Sequence, residues 1–198
     1  MPSRPALLLF DLGGVLLEST GHERLCQLAG VDMPVDEYRE RWLRSPAVCR
    51  FESGGSTPDE FAAQFIDEWQ LSLTRSAFLH EFTHWPRDMH AGVRTRLAGL
   101  RAHCRTACLS NSNELHWQRF GRFAGLFDVA LSSHELGVLK PEPAAFTRAL
   151  EILDVSPGDV MFFDDSRSNI DSAARLGLRA FHVEGFGALE RLLAAHGL

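Results

Sequence analysis

What this chain lacks narrows its chemistry first. It has no basic run, and its 20 Lys and Arg are outnumbered by 26 Asp and Glu, for a net charge of −6. A nucleic-acid groove needs clustered positive charge, so that class of partner is set aside. A small anionic ligand remains compatible, because a few local cations or a metal can hold one inside an acidic protein. Cysteine is sparse. The four, Cys26, Cys49, Cys104 and Cys108, show no spacing of a zinc site or disulfide framework, and Cys104 and Cys108 read as small buried hydrophobes. There is no internal repeat and no low-complexity tract. The apolar stretch from Ala6 to Leu17 raises the question of a secretory signal. Asp11 interrupts it and no small-residue cleavage site follows, so the expectation is a cytoplasmic protein without a membrane partner.

What is present is ordinary for a soluble globular chain: 198 residues, 45% hydrophobic and 23% charged. That length suits one sizeable core plus an insertion rather than two full domains. Asp11 ends the apolar run Leu7-Leu8-Leu9-Phe10, and Leu12-Gly13-Gly14 follows. Ligands in open α/β sheets bind just beyond the carboxyl ends of strands, and paired glycines let a backbone come close to a ligand.

Further apolar runs read as strands at Thr106 to Ser110, Phe127 to Leu131, Val160 to Phe163 and Arg179 to Val183. Helical patterns separate them, over Asp88 to His103 (Val93, Leu97, Leu100), through Phe146, Leu150 and Leu153, over Ser168 to Leu176, and from Ala188 to Ala195. This alternation predicts parallel βαβ units. From about Glu18 to Pro86 only helical patterns occur. The clearest begins at Thr57-Pro58-Asp59-Glu60, a capping box with proline in the first turn, and carries Phe61, Phe65 and Trp69 on one stripe. Asp32, Asp36 and Glu37 read as a solvated helix start, and Ser53-Gly54-Gly55-Ser56 as a flexible turn. His84 and His90 read as loop polar groups, and Trp42, Trp69 and Trp85 as packing residues by default.

Four segments then place polar groups at or just past strand ends: Asp11, Ser110-Asn111, Lys140 before Pro141, and Asp164-Asp165. Each alone is weak, but a parallel sheet brings all four to one edge. Together, as Phe10-Asp11-Leu12-Gly13-Gly14-Val15, Leu109-Ser110-Asn111, Leu139-Lys140-Pro141-Glu142-Pro143 and Phe163-Asp164-Asp165 with Ser166 to Ile170, they resemble the haloacid dehalogenase-type phosphohydrolase superfamily over essentially the whole chain. The Asp-x-Gly form of the first motif is similar to the branch near the glucose-1-phosphate phosphatases and the N-terminal phosphatase domain of bifunctional epoxide hydrolases.

The resemblance implies a three-layer, Rossmann-like α/β core with a parallel sheet, residues 1–17 and 87–198, and a small helical cap, 18–86, inserted after the first strand. It implies Asp11 as the nucleophile that forms an aspartyl-phosphate. It also implies a Mg²⁺ ion held by Asp11, the backbone carbonyl of Gly13 and Asp165, with Asp164 either a direct ligand or behind one. Ser110 and the Asn111 backbone bind phosphoryl oxygens, and Lys140 anchors both carboxylate and phosphate. Asn169 orients Lys140 or the acidic pair, or caps its helix.

Gly13 departs from the family pattern, in which a second Asp protonates the leaving oxygen and activates water. Three readings stay open: a substrate with an acidic leaving group, such as an anomeric sugar phosphate; a cap residue in place of the acid, with His22, Glu18 and Glu52 as candidates; or a poor catalyst that only binds. The leading expectation is a Mg²⁺-dependent phosphatase of a small phosphorylated metabolite. The alternatives are a 2-haloacid dehalogenase-type hydrolase, a phosphoacceptor module, or a catalytically weak phosphate-binding relative. Substrate and oligomeric state are left open.

Overall fold

The computed structural model describes residues 4–198. Its centre is a five-stranded, all-parallel sheet in the order β5-β4-β1-β6-β7. The strands are β1 (Leu7–Phe10), β4 (Arg105–Ser110), β5 (Val129–Ser132), β6 (Val160–Asp164) and β7 (Arg179–His182). The central strands β1 and β6 are buried along their whole length, which is why they read as continuous apolar runs rather than alternating ones.

Side chains still alternate between faces. Leu8, Phe10, Cys108, Met161 and Phe163 point to one side. There they meet Val93 and Leu97 of helix α6 (Val93–Arg101), Phe120 and Phe123 of α7 (Glu114–Ala124), and Leu189 and Leu193 of α11 (Phe186–Ala195). Leu7, Leu9, Ala107, Leu109 and Phe162 point to the other, against Phe146 and Leu153 of α9 (Pro143–Leu153) and Ala173 of α10 (Arg167–Arg175). The result is the expected three-layer α/β fold.

Five helices are inserted after β1: α1 (Gly21–Ala29), α2 (Val35–Arg44), α3 (Pro46–Glu52), α4 (Pro58–Glu68) and α5 (Arg75–Thr83). The expected capping box is formed, with the Thr57 hydroxyl accepting from the Glu60 N–H and the Glu60 carboxylate accepting from the Thr57 N–H. The Phe61, Phe65 and Trp69 stripe is buried in a separate aromatic core with Phe51, Phe78, Phe82 and Trp85.

Three readings of this region need correction. The segment is not purely helical: β2 (Leu17–Ser19) and β3 (Pro86–Met89) pair antiparallel where the chain leaves and rejoins the sheet. With three and four residues, mostly exposed, these strands carry no detectable alternation. For the same reason the helix expected from Asp88 starts only at Val93, after Gly92 at φ +92°. Finally, the turn at Ser53 to Ser56 is not loose. Gly54 has φ +74°, and a Cβ there would lie 2.4 Å from the His134 carbonyl oxygen. Only glycine allows that contact with α8 (Ser133–Leu136).

Candidate active site

Parallel strands bring their carboxyl ends to one edge, and the polar residues following β1, β4 and β6 meet there. Asp11 is 8% exposed and Lys140, in the loop after α8, is 2% exposed. The Lys140 Nζ donates to Asp11 Oδ1 at 2.8 Å and to Asp164 Oδ2 at 2.7 Å. Lys140 is also the single lysine of the chain, a signal that reading the motif alone passes over. The Asn111 side chain fixes its backbone from both sides, accepting from the Lys140 N–H at 2.9 Å and donating to its carbonyl at 2.8 Å. Asn111 thus has a positioning contact beyond the one expected of its backbone. Ser110 ends β4 and is buried.

Asp164 is fully buried and heavily engaged. Its Oδ1 accepts from the Ser166 N–H and the Asn169 amide, and its Oδ2 accepts from Asn169 and Lys140. Of the expected partners, Asn169 therefore binds Asp164 of the acidic pair. Asp165 faces outward and takes an ion pair from Arg39 of α2 at 2.7 Å. Gly14 explains how Asp165 comes so near the first loop, since a Cβ at position 14 would lie 2.2 Å from Asp165 Oδ2. At Gly13, by contrast, a Cβ would meet nothing within 4 Å, so the place for a second acid is open space.

Asp11, Asp164 and Asp165 each offer an oxygen within 4.8 Å of the others. An all-carboxylate set is the donor chemistry of a hard divalent cation. Burial pushes the Asp11 carboxyl up to about 7, against the pull of Lys140. Burial works against the charge on Lys140 as well, but the Asp11 and Asp164 carboxylates outweigh it and hold the ammonium protonated. Burial also raises Asp165, opposed by Arg39. Crowded acids around one cation are a site that gains from additional positive charge.

The cluster opens into a cavity of about 660 Å³ between sheet edge and helical segment, lined among others by Asp11, Gly13, Lys140, Trp42, Glu52 and Arg39. Arg39 and Trp42, which line it, and Ser133, bonded to the lining residues Ser112 and Glu52, lie outside the four sequence motifs. Arg39 gave no local signal, because its partner Asp165 lies 126 positions away, and Trp42, expected by default as a packing residue, lines the cavity. Ser133 follows β5 directly and was within reach of the strand-end rule that picked out the others. Its hydroxyl accepts from the Ser112 N–H at 2.9 Å and lies 2.6 Å from the Glu52 carbonyl. Of the three candidates to replace an acid at position 13, His22 binds the Met33 carbonyl through Nε2 at 2.6 Å. Glu18 is a rim residue, 56% exposed beside His90, and Glu52 is buried in the cavity wall. His84 binds the His80 carbonyl and forms no metal cluster with His90 among the described residues. No helix of the described residues is long and apolar enough to cross a membrane.

A family model for haloacid dehalogenase-like hydrolases matches residues 5–177. Among curated proteins, the chain is 26% identical to D-ribitol-5-phosphate phosphatase of Bacteroides thetaiotaomicron over 196 residues, covering 89% of this chain and 91% of that protein. It is 28% identical to acyl-CoA dehydrogenase family member 10 of Mus musculus over 194 residues, 89% of this chain, but spans only 18% of that larger protein. Among solved structures, a haloacid dehalogenase family enzyme from Bacteroides thetaiotaomicron in complex with magnesium and inorganic phosphate superposes with a TM-score of 0.75 at 24% identity, over 90% of this chain and 94% of that one.

Proposed function

The chain belongs to the haloacid dehalogenase-like hydrolases, and on that premise we propose that it is a Mg²⁺-dependent phosphatase of small phosphorylated metabolites, working in the cytoplasm through an aspartyl-phosphate. The observation that carries this reading is the Asp11–Lys140–Asp164 chain of contacts beside Asp165, with every carboxylate at one sheet edge. Residues 18–86 then act as a cap over a core of 1–17 and 87–198.

Asp11 attacks phosphorus in line, and Lys140 pulls its carboxylate toward the ionised, nucleophilic form against the effect of burial. Ser110 and the Asn111 backbone bind phosphoryl oxygens. Asp11, Asp165 and the Gly13 carbonyl would hold Mg²⁺. Asp164, whose oxygens already accept from Lys140, Asn169 and Ser166, sits behind them and fixes the lysine. The ion, when bound, neutralises charge on the transferred group. The acidic trio favours this reading over metal-independent halide release. The similarity to a ribitol-phosphate phosphatase supports polyol and sugar phosphates, anomeric ones included, as the first substrate panel.

Asp11→Asn tests the proposal. Hydrolysis of 4-nitrophenyl phosphate in Mg²⁺ is expected to fall by more than about 10³-fold, as for loss of a nucleophile, with an unchanged circular-dichroism spectrum. Full activity in the variant, or metal-independent halide release from a 2-halo acid by the wild type, overturns it.

A further inference from the structure

The proposed reaction has two proton transfers and no acid at position 13 to perform them. We infer that Glu52, supplied across the cavity by the helical segment, gives the proton to the leaving oxygen and later takes one from water. This rests on the phosphatase reading above.

Three geometric facts place Glu52 for the task. Its side chain is one of the cavity-lining groups around Asp11, Gly13 and Lys140, although the residue is only 7% exposed. Gly13 lines the same cavity, and a Cβ there would meet nothing within 4 Å, so the place of a second acid is open. It is also held firmly: its backbone carbonyl lies 2.6 Å from the Ser133 hydroxyl, its carboxyl accepts from the Trp42 indole, and Gly54, two residues on, is packed against the His134 carbonyl. His22 is tied to a backbone carbonyl and does not line the cavity, and Glu18 lines it but is exposed at its rim.

The charge environment fits the role. Burial pushes the Glu52 carboxyl up to about 8; the Trp42 contact lowers it, Asp11 raises it and Lys140 lowers it. The other titratable groups that feel it are Tyr38 of α2 and Cys49 of α3, both shifted upward, first by burial and then by Glu52 itself. An uncharged acid is therefore present at neutral pH, which is what a leaving alkoxide requires.

The steps balance. As an Asp11 oxygen bonds to phosphorus, the bond from phosphorus to the leaving oxygen breaks. The leaving oxygen keeps the electron pair and takes the Glu52 proton, departing as an alcohol. The Glu52 carboxylate then removes a proton from water, whose oxygen bonds to phosphorus as the Asp11–phosphorus bond breaks. Phosphate, ionised Asp11 and protonated Glu52 remain.

The test compares Mg²⁺-loaded wild type with Glu52→Gln, which preserves shape and the uncharged state, on two esters: 2,4-dinitrophenyl phosphate, whose phenol leaves unaided, and glycerol 3-phosphate, whose alkoxide does not. Glu52→Gln is expected to lower kcat/KM for the alkyl ester by about 10²–10⁴-fold and for the aryl ester by less than about tenfold. Stoichiometric phenol should be released in a burst as the aspartyl-phosphate accumulates. The wild-type fall in kcat/KM for the alkyl ester above about pH 8 should vanish in the variant. Inhibition by inorganic phosphate should be unchanged. Equal losses on both esters, or no loss on either, overturn the inference. A wild type inert on both overturns the phosphatase reading and this inference with it, a result distinguishable because no variant is needed to see it.

Discussion

The two walls of the cavity are built on different physics. The sheet-side wall is ionic: Lys140 is clamped between Asp11 and Asp164 with its side chain 2% exposed, and both carboxylates hang from the end of a buried strand. The helical wall is aromatic. Phe61 stacks on Phe51 at 4.4 Å between ring centroids and sits 4.9 Å from Phe82 and 5.3 Å from Phe65. Scattered polar groups, among them Arg39, Trp42 and Glu52, reach from it into the cavity. The proposed nucleophile thus sits where parallel backbone hydrogen bonds leave least freedom. The groups that would meet the rest of a substrate ride on a unit with its own core.

Breaking the ionic wall should have the largest effect. Lys140→Gln removes the one cation that two buried carboxylates share. Leaving buried charge without its partner costs about 3–5 kcal/mol, and hydrolysis should be abolished. Urea unfolding in EDTA, where no metal can substitute, is the measurement. A midpoint equal to wild type would show that the sheet edge tolerates its acids unaided.

Breaking the aromatic wall should act more locally. Phe61→Ala truncates a ring that is 0% exposed, worth about 3–5 kcal/mol for a buried Phe. Because that core draws on residues 25–85 and not on the sheet, the helical segment is expected to melt first. Trp42, Trp69 and Trp85 report on it, whereas Trp117 packs against the sheet-side core. Tryptophan fluorescence should therefore unfold before the far-ultraviolet signal of the sheet. A single coincident transition would mean that the two cores stand or fall together.

The same contrast explains what could be read from sequence. On the sheet side, position along the chain maps onto position in space: apolar runs set the strands, and the residue after each run lies at the functional edge. Asp11, Ser110 and Asp164-Asp165 were legible for that reason, and Lys140 through its motif. The helical side has no such rule. Arg39 reaches Asp165 across 126 positions, and nothing local announces it. Glu52, like His22 and Glu18, is one acid-base candidate among others until burial separates them. The β2–β3 ribbon was hidden because Leu17 and Met89 are its only buried residues.

The smallest predicted effect is the most diagnostic, because it touches the seam between the walls. Ser133 lies on the sheet side and Glu52 on the helical side, and the Ser133 hydroxyl is the hydrogen-bonding group placed between them. It can donate its one proton to the Glu52 carbonyl or to the Ser112 carbonyl 3.0 Å away, while it accepts from the Ser112 N–H. Ser133→Ala deletes an oxygen without adding bulk, leaving a buried N–H and a buried carbonyl short of a partner. The cost is about 1–3 kcal/mol in stability, well below that of either core change. Its kinetic signature separates positioning from mere stability. With Glu52 less firmly held, turnover of an alkyl phosphate should drop more than turnover of an aryl phosphate, in a weaker copy of Glu52→Gln, while inhibition by inorganic phosphate stays constant. A variant that loses stability but hydrolyses both esters in wild-type ratio would show that Gly54 and Trp42 suffice to aim the carboxyl, and that the hydroxyl only joins the two walls.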